Sequence, residues 1–186
     1  MQNKKIIIAI TGASGSIYAK RTFHNLLKIK DKVKDIAVIY SKNALDVWQQ
    51  ELGETPDHPF KTYPQTDFKA PFASGSANYT DMLIVPCSMG TLARIASGIS
   101  NDLITRTADV MLKERRRLIL MVRDTPYNQI HLQNMLTLTQ AGAIILPASP
   151  SFYSNPQDFN QLADTIVHRA LDLMNLNVDG TFRWGL

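Results

Sequence analysis

A glycine- and serine-rich turn at residues 11–16 has the sequence TGASGS, whose residue types suit the binding of an anion. It follows an apolar run at residues 6–10 and precedes a stretch with helical spacing at residues 17–28. A strand, a turn and a helix N-terminus in this order present unpaired backbone N–H groups and the positive end of a helix dipole. The turn therefore predicts a ligand with a phosphate or another polar edge of a nucleotide. A tight turn without a ligand is the alternative.

The turn does not match three well-known motifs that it resembles in composition. Ser14 stands where the dinucleotide fingerprint G-x-G-x-x-G requires its second glycine. No Gly-Lys-Ser/Thr follows, which excludes a Walker A loop, and Ser16 stands where the nucleophile elbow G-x-S-x-G requires a glycine. The turn alone therefore does not identify its ligand.

Small polar residues, an arginine and an aromatic follow the other apolar runs, at residues 41–42, 86–91, 123–126 and 147–153. Because the carboxyl ends of parallel strands meet at one edge of a sheet, we expect these segments to converge with the first turn. Each segment taken alone has the residue types of an ordinary turn. The segment that begins at Ser88 is also typical of a helix N-cap.

A second candidate anion site lies in a predicted helix at residues 103–116. Arg106 and Lys113 are seven residues apart and so share one helix face, with Asp109 between them. Such residues could bind a phosphate, and a solvated charged face is the alternative. Arg169, in the last predicted helix, reads by itself as a surface charge.

The apolar pattern alternates between two periods along the chain. Continuous apolar runs occur at residues 5–10, 35–40, 82–85, 118–122 and 143–146. Segments with helical spacing lie near residues 17–28, 43–51, 91–97, 103–116, 129–140 and 159–174. This alternation predicts an α/β fold, a three-layer, Rossmann-like (flavodoxin-like) doubly wound parallel sheet in a single domain. Residues 53–72 contain four prolines and predict a long surface loop.

The composition narrows the class of protein. Of the 186 residues, 45% are apolar, which is ordinary for a globular chain, and no apolar run reaches the length of a membrane span. The single cysteine, Cys87, excludes an internal disulfide and suits the reducing cytoplasm. The net charge is +4, but the cations are scattered and few aromatics interleave them, so we expect a small anionic ligand and no nucleic acid. No histidine stands in metal-ligand spacing, so no metal is expected.

Together these segments resemble the UbiX-type flavin prenyltransferases over nearly the whole chain. The resemblance rests on residues 11–15, 41–42, 73–76, 86–92, 108–116, 123–126 and 147–153. It implies an enzyme that joins a dimethylallyl group from dimethylallyl phosphate to N5 and C6 of reduced FMN. It further implies that the product, prenylated FMN, serves a UbiD-type decarboxylase, that no metal takes part, and that the chain forms a homo-oligomer, typically a dodecamer, with the flavin between subunits.

The resemblance also assigns site residues by position. Contacts to FMN are implied for Gly12, Ala13, Ser14, Ser41, Ser88, Met89, Gly90, Thr91 and Arg123. Contacts to the prenyl phosphate are implied for Ser74, Arg106, Lys113, Tyr153 and Arg169. Catalytic roles are implied for Ser14, Glu51, Lys113 and Asp124. A C-terminal tail at about residues 175–186 is expected to pack near the active site.

One implied catalytic residue departs from the family pattern. Asp124 stands where the family usually has a glutamate, so its carboxyl group is one methylene nearer to the backbone. We expect it to orient the phosphate-binding cations or to move a proton to and from phosphate. A turn cap before Pro126 is the alternative.

Two other functions are open at this point. A decarboxylase-like flavoprotein that acts on phosphopantothenoylcysteine shares the expected fold, but residues 73–76 (ASGS) lack the asparagine of its substrate motif, and no histidine is suitably placed. A non-catalytic flavin carrier is the other alternative. It would need no second anion site, so the cations of the predicted fourth helix argue against it.

Overall fold

Six parallel strands form one sheet, in the order β3-β2-β1-β4-β5-β6. The structure, a computed structural model, describes residues 4–185. The strands are β1 (Lys4–Ile10), β2 (Val33–Tyr40), β3 (Lys61–Pro64), β4 (Asp81–Cys87), β5 (Arg117–Val122) and β6 (Ile144–Pro147). Every pairing is parallel because the chain returns to the same end of the sheet before each new strand.

Six α-helices cover the two faces of this sheet. They are α1 (Ser16–Lys28), α2 (Ala44–Leu52), α3 (Met89–Ala96), α4 (Leu103–Lys113), α5 (Gln129–Gln140) and α6 (Phe159–Leu173). Single 3₁₀ turns lie at Lys30–Lys32, Pro71–Ala73 and Gly75–Ala77. The predicted three-layer, Rossmann-like doubly wound fold is confirmed, and its strand order is the Rossmann order.

The sheet separates two hydrophobic cores. Side chains of α1, α2 and α6 pack on one face, around Ile6, Ile8 and Val38. Side chains of α3, α4 and α5 pack on the other face, around Ile7, Ala9 and Ile84. Because both faces are covered, neighbouring residues of a central strand are all buried, which explains the continuous apolar runs in the sequence.

The strand order creates a switch point between β1 and β4. From β1 the chain winds outward through β2 to β3, and it then crosses back to place β4 on the other side of β1. The loops after β1 and β4 therefore lead to opposite faces of the sheet. In open α/β sheets such a divergence leaves a crevice at the carboxyl ends of the two strands, where ligands bind.

Two sequence predictions about the elements are wrong. The stretch 53–72 is not wholly a loop, because the edge strand β3 lies within it. This strand has only four residues and pairs on one side, with β2, so its proline is tolerated. The predicted fourth helix at residues 103–116 ends earlier, at Lys113, because Arg115 adopts a left-handed backbone with φ of 55°.

A buried ion network joins β1, β4 and β5 at the end of the sheet opposite the switch-point crevice. The Asp81 carboxylate accepts hydrogen bonds from Lys4 Nζ at 3.0 Å and from Arg117 Nη1 at 2.7 Å, and it is almost fully buried. Lys4 Nζ also donates to the carbonyl oxygen of Met174, just beyond α6. The network thus connects three strands to the last helix.

We expect Asp81→Ala to lower the free energy of unfolding by about 3–5 kcal/mol, because it leaves the Lys4 ammonium buried without its counter-ion. The measurement is urea unfolding followed by tryptophan fluorescence. Glu54→Ala is the control: it breaks the exposed pair of Glu54 with Lys20, and such pairs contribute about 0–1 kcal/mol. Equal stabilities of the two variants would contradict a structural role for the network.

Candidate active site

Thr11 joins the two loops at the switch point. Its hydroxyl donates to the carbonyl oxygen of Pro86 at 2.7 Å and accepts from the backbone N–H of Ser88 at 2.9 Å. Its own backbone N–H also donates to Pro86 O, at 3.3 Å. From the sequence alone, Thr11 is predicted only to be part of the turn. The signal for its role was its position, since a hydroxyl directly after a buried strand at a switch point can link two loops.

The loop after β4 begins α3 with a capped turn. The Ser88 hydroxyl accepts from the backbone N–H of Thr91 at 3.3 Å and lies 3.1 Å from the Thr91 hydroxyl. The side chains of Met89 and Thr91 are buried, whereas Gly90 is exposed and a Cβ there would meet no atom within 4 Å. The helix-cap interpretation of this segment is confirmed, and the open side of the turn lies over Gly90.

The N-terminus of α1 binds a carboxylate of the chain itself. Glu51, at the end of α2, accepts from the N–H of Gly15 at 3.0 Å and from that of Ser16 at 2.7 Å. Burial alone would raise the pKa of Glu51, but hydrogen bonds from Ser14, Ser16 and Gly15 outweigh it and hold the pKa below its usual range. Part of the anion-binding capacity of the turn is therefore used by the chain itself, and the exposed Ser14 takes part in holding Glu51.

Close packing explains the glycine at position 12. A Cβ on Gly12 would lie 2.8 Å from Cβ of Asn43, the residue that precedes α2. The N–H of Ser41 donates to the carbonyl oxygen of Ile10 at 2.8 Å, which continues the pairing of β1 and β2 up to the turn. Ala13 is buried beside them. The first turn is thus tightly held by the start of α2 from one side.

The segment after β5 reaches the same turn. Nε of Arg123 donates to the carbonyl oxygen of Ser14 at 3.0 Å, and the guanidinium remains partly exposed. Oδ1 of Asp124 accepts from the N–H of Thr125 at 2.9 Å. The turn-cap interpretation of Asp124 requires such a local contact. A catalytic role for Oδ2 of Asp124 stays a prediction.

Three of the predicted phosphate residues lie on the α4 side of the sheet. Arg106 and Lys113 are both on α4, the first half-buried and the second exposed. Nε of Arg106 donates to the carbonyl oxygen of Ala73 at 3.0 Å, so α4 holds the loop that carries the exposed Ser74. The structure brings these three residues to the same side of the sheet.

The other two predicted phosphate residues lie on the α6 side. Arg169 is exposed on α6, which packs on the opposite face of the sheet from α4. Tyr153 is in the preceding loop, which is joined to α6 by a hydrogen bond from Ser151 N–H to the Thr165 hydroxyl at 3.0 Å. Its ring lies 5.0 Å from that of Trp184. One chain therefore does not bring the five residues together, because the sheet lies between the two groups.

Three further findings concern metal binding, membrane spans and the cysteine in the described part of the chain. Within residues 4–185 no group of three or more His, Cys, Asp and Glu side chains is placed to hold a metal ion. None of the helices there is long and apolar enough to cross a membrane. Burial raises the pKa of Cys87 to about 12, so this thiol, although next to Ser88, stays protonated and is not a nucleophile.

The residues at the switch point suit the FMN that the resemblance implies. Hydroxyl groups of Ser14 and Ser88 and the guanidinium of Arg123 offer hydrogen-bonding groups to the polar edges of a flavin. The open side of the turn at Gly90 admits a flat ring beside the backbone. These groups converge where ligands bind in open α/β sheets.

Comparisons with known proteins agree with this site. The flavoprotein family model matches residues 1–171. A curated relative from Methanocaldococcus jannaschii, named flavin prenyltransferase UbiX, is 43% identical over 185 residues, which are 97% of this chain and 98% of the relative.

Solved structures give the same result. The chain is 41% identical to AnUbiX (PadA1), solved in complex with FMN and dimethylallyl pyrophosphate, with a TM-score of 0.90 over 100% of this chain and 99% of the other. It is 33% identical to a dodecameric FMN-dependent UbiX-like decarboxylase from Escherichia coli O157:H7, with a TM-score of 0.89 over 98% and 100%. The chain therefore belongs to the flavoprotein family and, within it, to the UbiX-type flavin prenyltransferases.

Proposed function

We propose that this protein joins a dimethylallyl group from dimethylallyl phosphate to N5 and C6 of reduced FMN. The observation that carries the proposal is the presence of two separate polar sites. One is the hydroxyl and guanidinium set at the switch point, and the other is the cation pair Arg106 and Lys113 on α4. A flavin carrier would use only the first site. The likeness to relatives named as flavin prenyltransferases supports the choice.

The cations are proposed to stabilise the leaving phosphate. When the allylic C–O bond breaks, its electron pair stays on the phosphate oxygen, and positive charges fixed beside that oxygen lower the barrier. Lys113 and Arg106 supply two such charges, and charge-assisted hydrogen bonds are about twice as strong as neutral ones. Reduced FMN, when bound, supplies the ring atoms that accept the allyl group.

A carboxylate or the released phosphate is proposed to take the proton that the alkylated ring carbon must lose. Glu51 is ionised at neutral pH, but backbone amides already occupy its oxygens. Asp124 engages only Oδ1, and its Oδ2 makes no hydrogen bond within residues 4–185. Asp124 is therefore the better candidate for the group that accepts the proton. Glu51 is the better candidate for the group that holds the turn that carries Ser14.

We also propose that the phosphate site is shared between copies. Tyr153 and Arg169 are separated from Lys113 by the sheet of their own chain, so a second copy must supply them. The dodecameric state of the Escherichia coli neighbour supports a dodecamer here. The contact of Trp184 with Tyr153 supports a tail that packs beside the site; Leu186 lies outside the described residues.

Two further parts of the proposal concern the setting of the reaction. A UbiD-type decarboxylase is the proposed recipient of the product, in keeping with the family. The cytoplasm is the proposed compartment, which suits a chain whose single cysteine is a buried, protonated thiol.

Mass spectrometry of the flavin tests the proposed reaction directly. The purified protein is incubated without oxygen with reduced FMN and dimethylallyl phosphate, and the flavin is extracted. We expect a flavin that is heavier by one dimethylallyl unit, together with free phosphate. Oxidised FMN serves as the control. An unmodified flavin at high protein concentration would contradict transfer and favour the carrier.

Lys113→Ala should reduce prenyl transfer by at least about 100-fold while FMN affinity stays within about twofold, because it removes a charge-assisted contact to phosphate only. The measurements are single-turnover transfer and FMN titration. Lys20→Ala, which removes an exposed lysine of α1 that pairs with Glu54, is the matched control. Wild-type transfer by Lys113→Ala at both low and saturating dimethylallyl phosphate would exclude Lys113 from the phosphate site.

Asp124→Asn should retain the fold and FMN but lose most of the transfer rate, because the amide keeps the contact with Thr125 N–H and cannot take a proton. Asp124→Glu should retain or raise activity, since it restores the usual family residue. Single-turnover flavin assays of the three proteins make the comparison. If Asp124→Asn turns over like the wild type, the residue is a turn cap and not a base.

Glu51→Gln should weaken FMN binding by about tenfold, because the neutral amide has one acceptor oxygen instead of two and accepts more weakly from the backbone N–H groups than a charged carboxylate does. The folded pKa of Glu51 is lowered, so its contribution is complete above the ordinary carboxyl pKa and is lost as the pH falls through the lowered folded value. FMN titration against pH should therefore show an acid loss in the wild type that is absent in Glu51→Gln. Glu54→Gln, just beyond the same helix, is the control, and equal pH curves for Glu51→Gln and wild type would contradict this role.

A further inference from the structure

Both phosphate cations of α4 already have carboxylate partners within the chain. Nζ of Lys113 donates to Oε1 of Glu114 at 2.7 Å, and Nη1 of Arg106 donates to Oδ2 of Asp109 at 3.1 Å. The first of these carboxylates is the more constrained. A dimethylallyl phosphate that reaches Lys113 therefore enters a site with fixed negative charge as well as positive charge.

Glu114 is wedged between the end of α4 and the loop that carries Ser74. A Cβ on Gly75 would lie 2.3 Å from Oε1 of Glu114 and 2.6 Å from Cδ, so the absence of a side chain there makes the room for this carboxylate. Arg116 closes the arrangement from the other side. Its Nη2 donates to the carbonyl oxygen of Gly75 and lies 3.8 Å from Oε2 of Glu114.

The charge of Glu114 is maintained by the same contacts. The hydrogen bond and the charge of Lys113 lower the pKa of Glu114, with a further contribution from Arg116. The carboxylate is therefore ionised at neutral pH, and it lies beside Gly75 while paired with Lys113. Lys113 is thus paired with Glu114 near the loop of Ser74, and it remains exposed to solvent.

A fixed carboxylate at this point discriminates between phosphate groups by charge. A phosphomonoester carries about −1.5 to −2 charges at pH 7, and a diphosphate ester carries more. Repulsion from a neighbouring carboxylate grows with the charge of the ligand, so the diphosphate is penalised more. We propose that Glu114 is a positioning residue that holds Lys113 and sets a preference for a monophosphate over a diphosphate. The identity of the prenyl substrate rests on the proposed function.

Binding of inorganic anions tests this proposal without depending on catalysis. Inorganic phosphate and pyrophosphate are titrated into the FMN-loaded protein by calorimetry, at low salt and without divalent metal. Glu114→Gln keeps the volume above Gly75 and the acceptor for Lys113 but removes the charge. We expect the affinity ratio of pyrophosphate to phosphate to rise about three- to tenfold, and to rise less at high salt.

Two more variants separate charge from structure. Glu54→Gln removes an exposed carboxylate that pairs with Lys20 and not with Lys113, and it should leave the ratio unchanged. Gly75→Ala alters no charge but pushes the Glu114 carboxylate away from Lys113, so it should shift the ratio in the same direction. A ratio that stays at the wild-type value in both Glu114→Gln and Gly75→Ala, or equal losses for both anions, would overturn the proposal.

Transfer assays on the wild type keep the two proposals apart. If the wild type binds both anions but modifies no flavin, the proposed function fails, and the effect of Glu114 on anion preference is still decided by the titrations. If the wild type transfers the dimethylallyl group, the ratio of kcat/KM for dimethylallyl phosphate and diphosphate should shift in Glu114→Gln as the binding ratio does.

Discussion

The hydroxyl of Thr11 connects two loops that the chain order places at the ends of neighbouring but non-consecutive strands. It donates to Pro86 O and accepts from Ser88 N–H, and it does both while almost fully buried. Without this hydroxyl the N–H of Ser88 would lose its acceptor, and the backbone hydrogen bond from Thr11 N–H to Pro86 O would remain. Arg123 and Glu51 then fix the same turn from β5 and from α2. The flavin crevice is thus positioned by hydrogen bonds between loops, on a sheet that is itself rigidly packed.

The sheet that positions the crevice also separates the residues that are proposed to bind the prenyl phosphate. Arg106 and Lys113 are on α4, whereas Arg169 is on α6, and the two helices cover opposite faces. A side chain cannot pass through a packed sheet, so the folded chain keeps the two helices and their cations on opposite faces. A phosphate site that uses both groups, as proposed, would therefore take residues from more than one copy of the chain.

The fold could be predicted from the sequence because its strands are covered on both faces and read as continuous apolar runs. The exception was β3, a four-residue edge strand with a proline and only one deeply buried side chain, Tyr63. Helical spacing placed Arg106 and Lys113 on one helix, which the structure bears out. The predicted end of that helix was wrong, because the residue types around Arg115 give no indication of the left-handed backbone found there.

The interior of the site was harder to predict for a different reason. Glu51 occupies the amides of Gly15 and Ser16 from 36 and 35 residues away, and spacing rules describe only neighbours along a helix or strand. Glu114 and Gly75 are likewise far apart along the chain, so no local spacing rule predicts that they meet. The residue types of the turn did indicate an anion, but only the tertiary structure shows that one such anion belongs to the chain itself.

Subunit mixing tests most directly the proposal that two copies of the chain build each phosphate site. Lys113→Ala and Arg169→Ala chains are unfolded together, refolded as mixed oligomers and assayed for prenylated FMN, beside each variant refolded alone. If each site takes Lys113 from one copy and Arg169 from another, about a quarter of the sites in an equal mixture contain both wild-type residues, so activity should return to about a quarter of the wild-type level. Mixed oligomers that are as inactive as the separate variants would contradict the shared site.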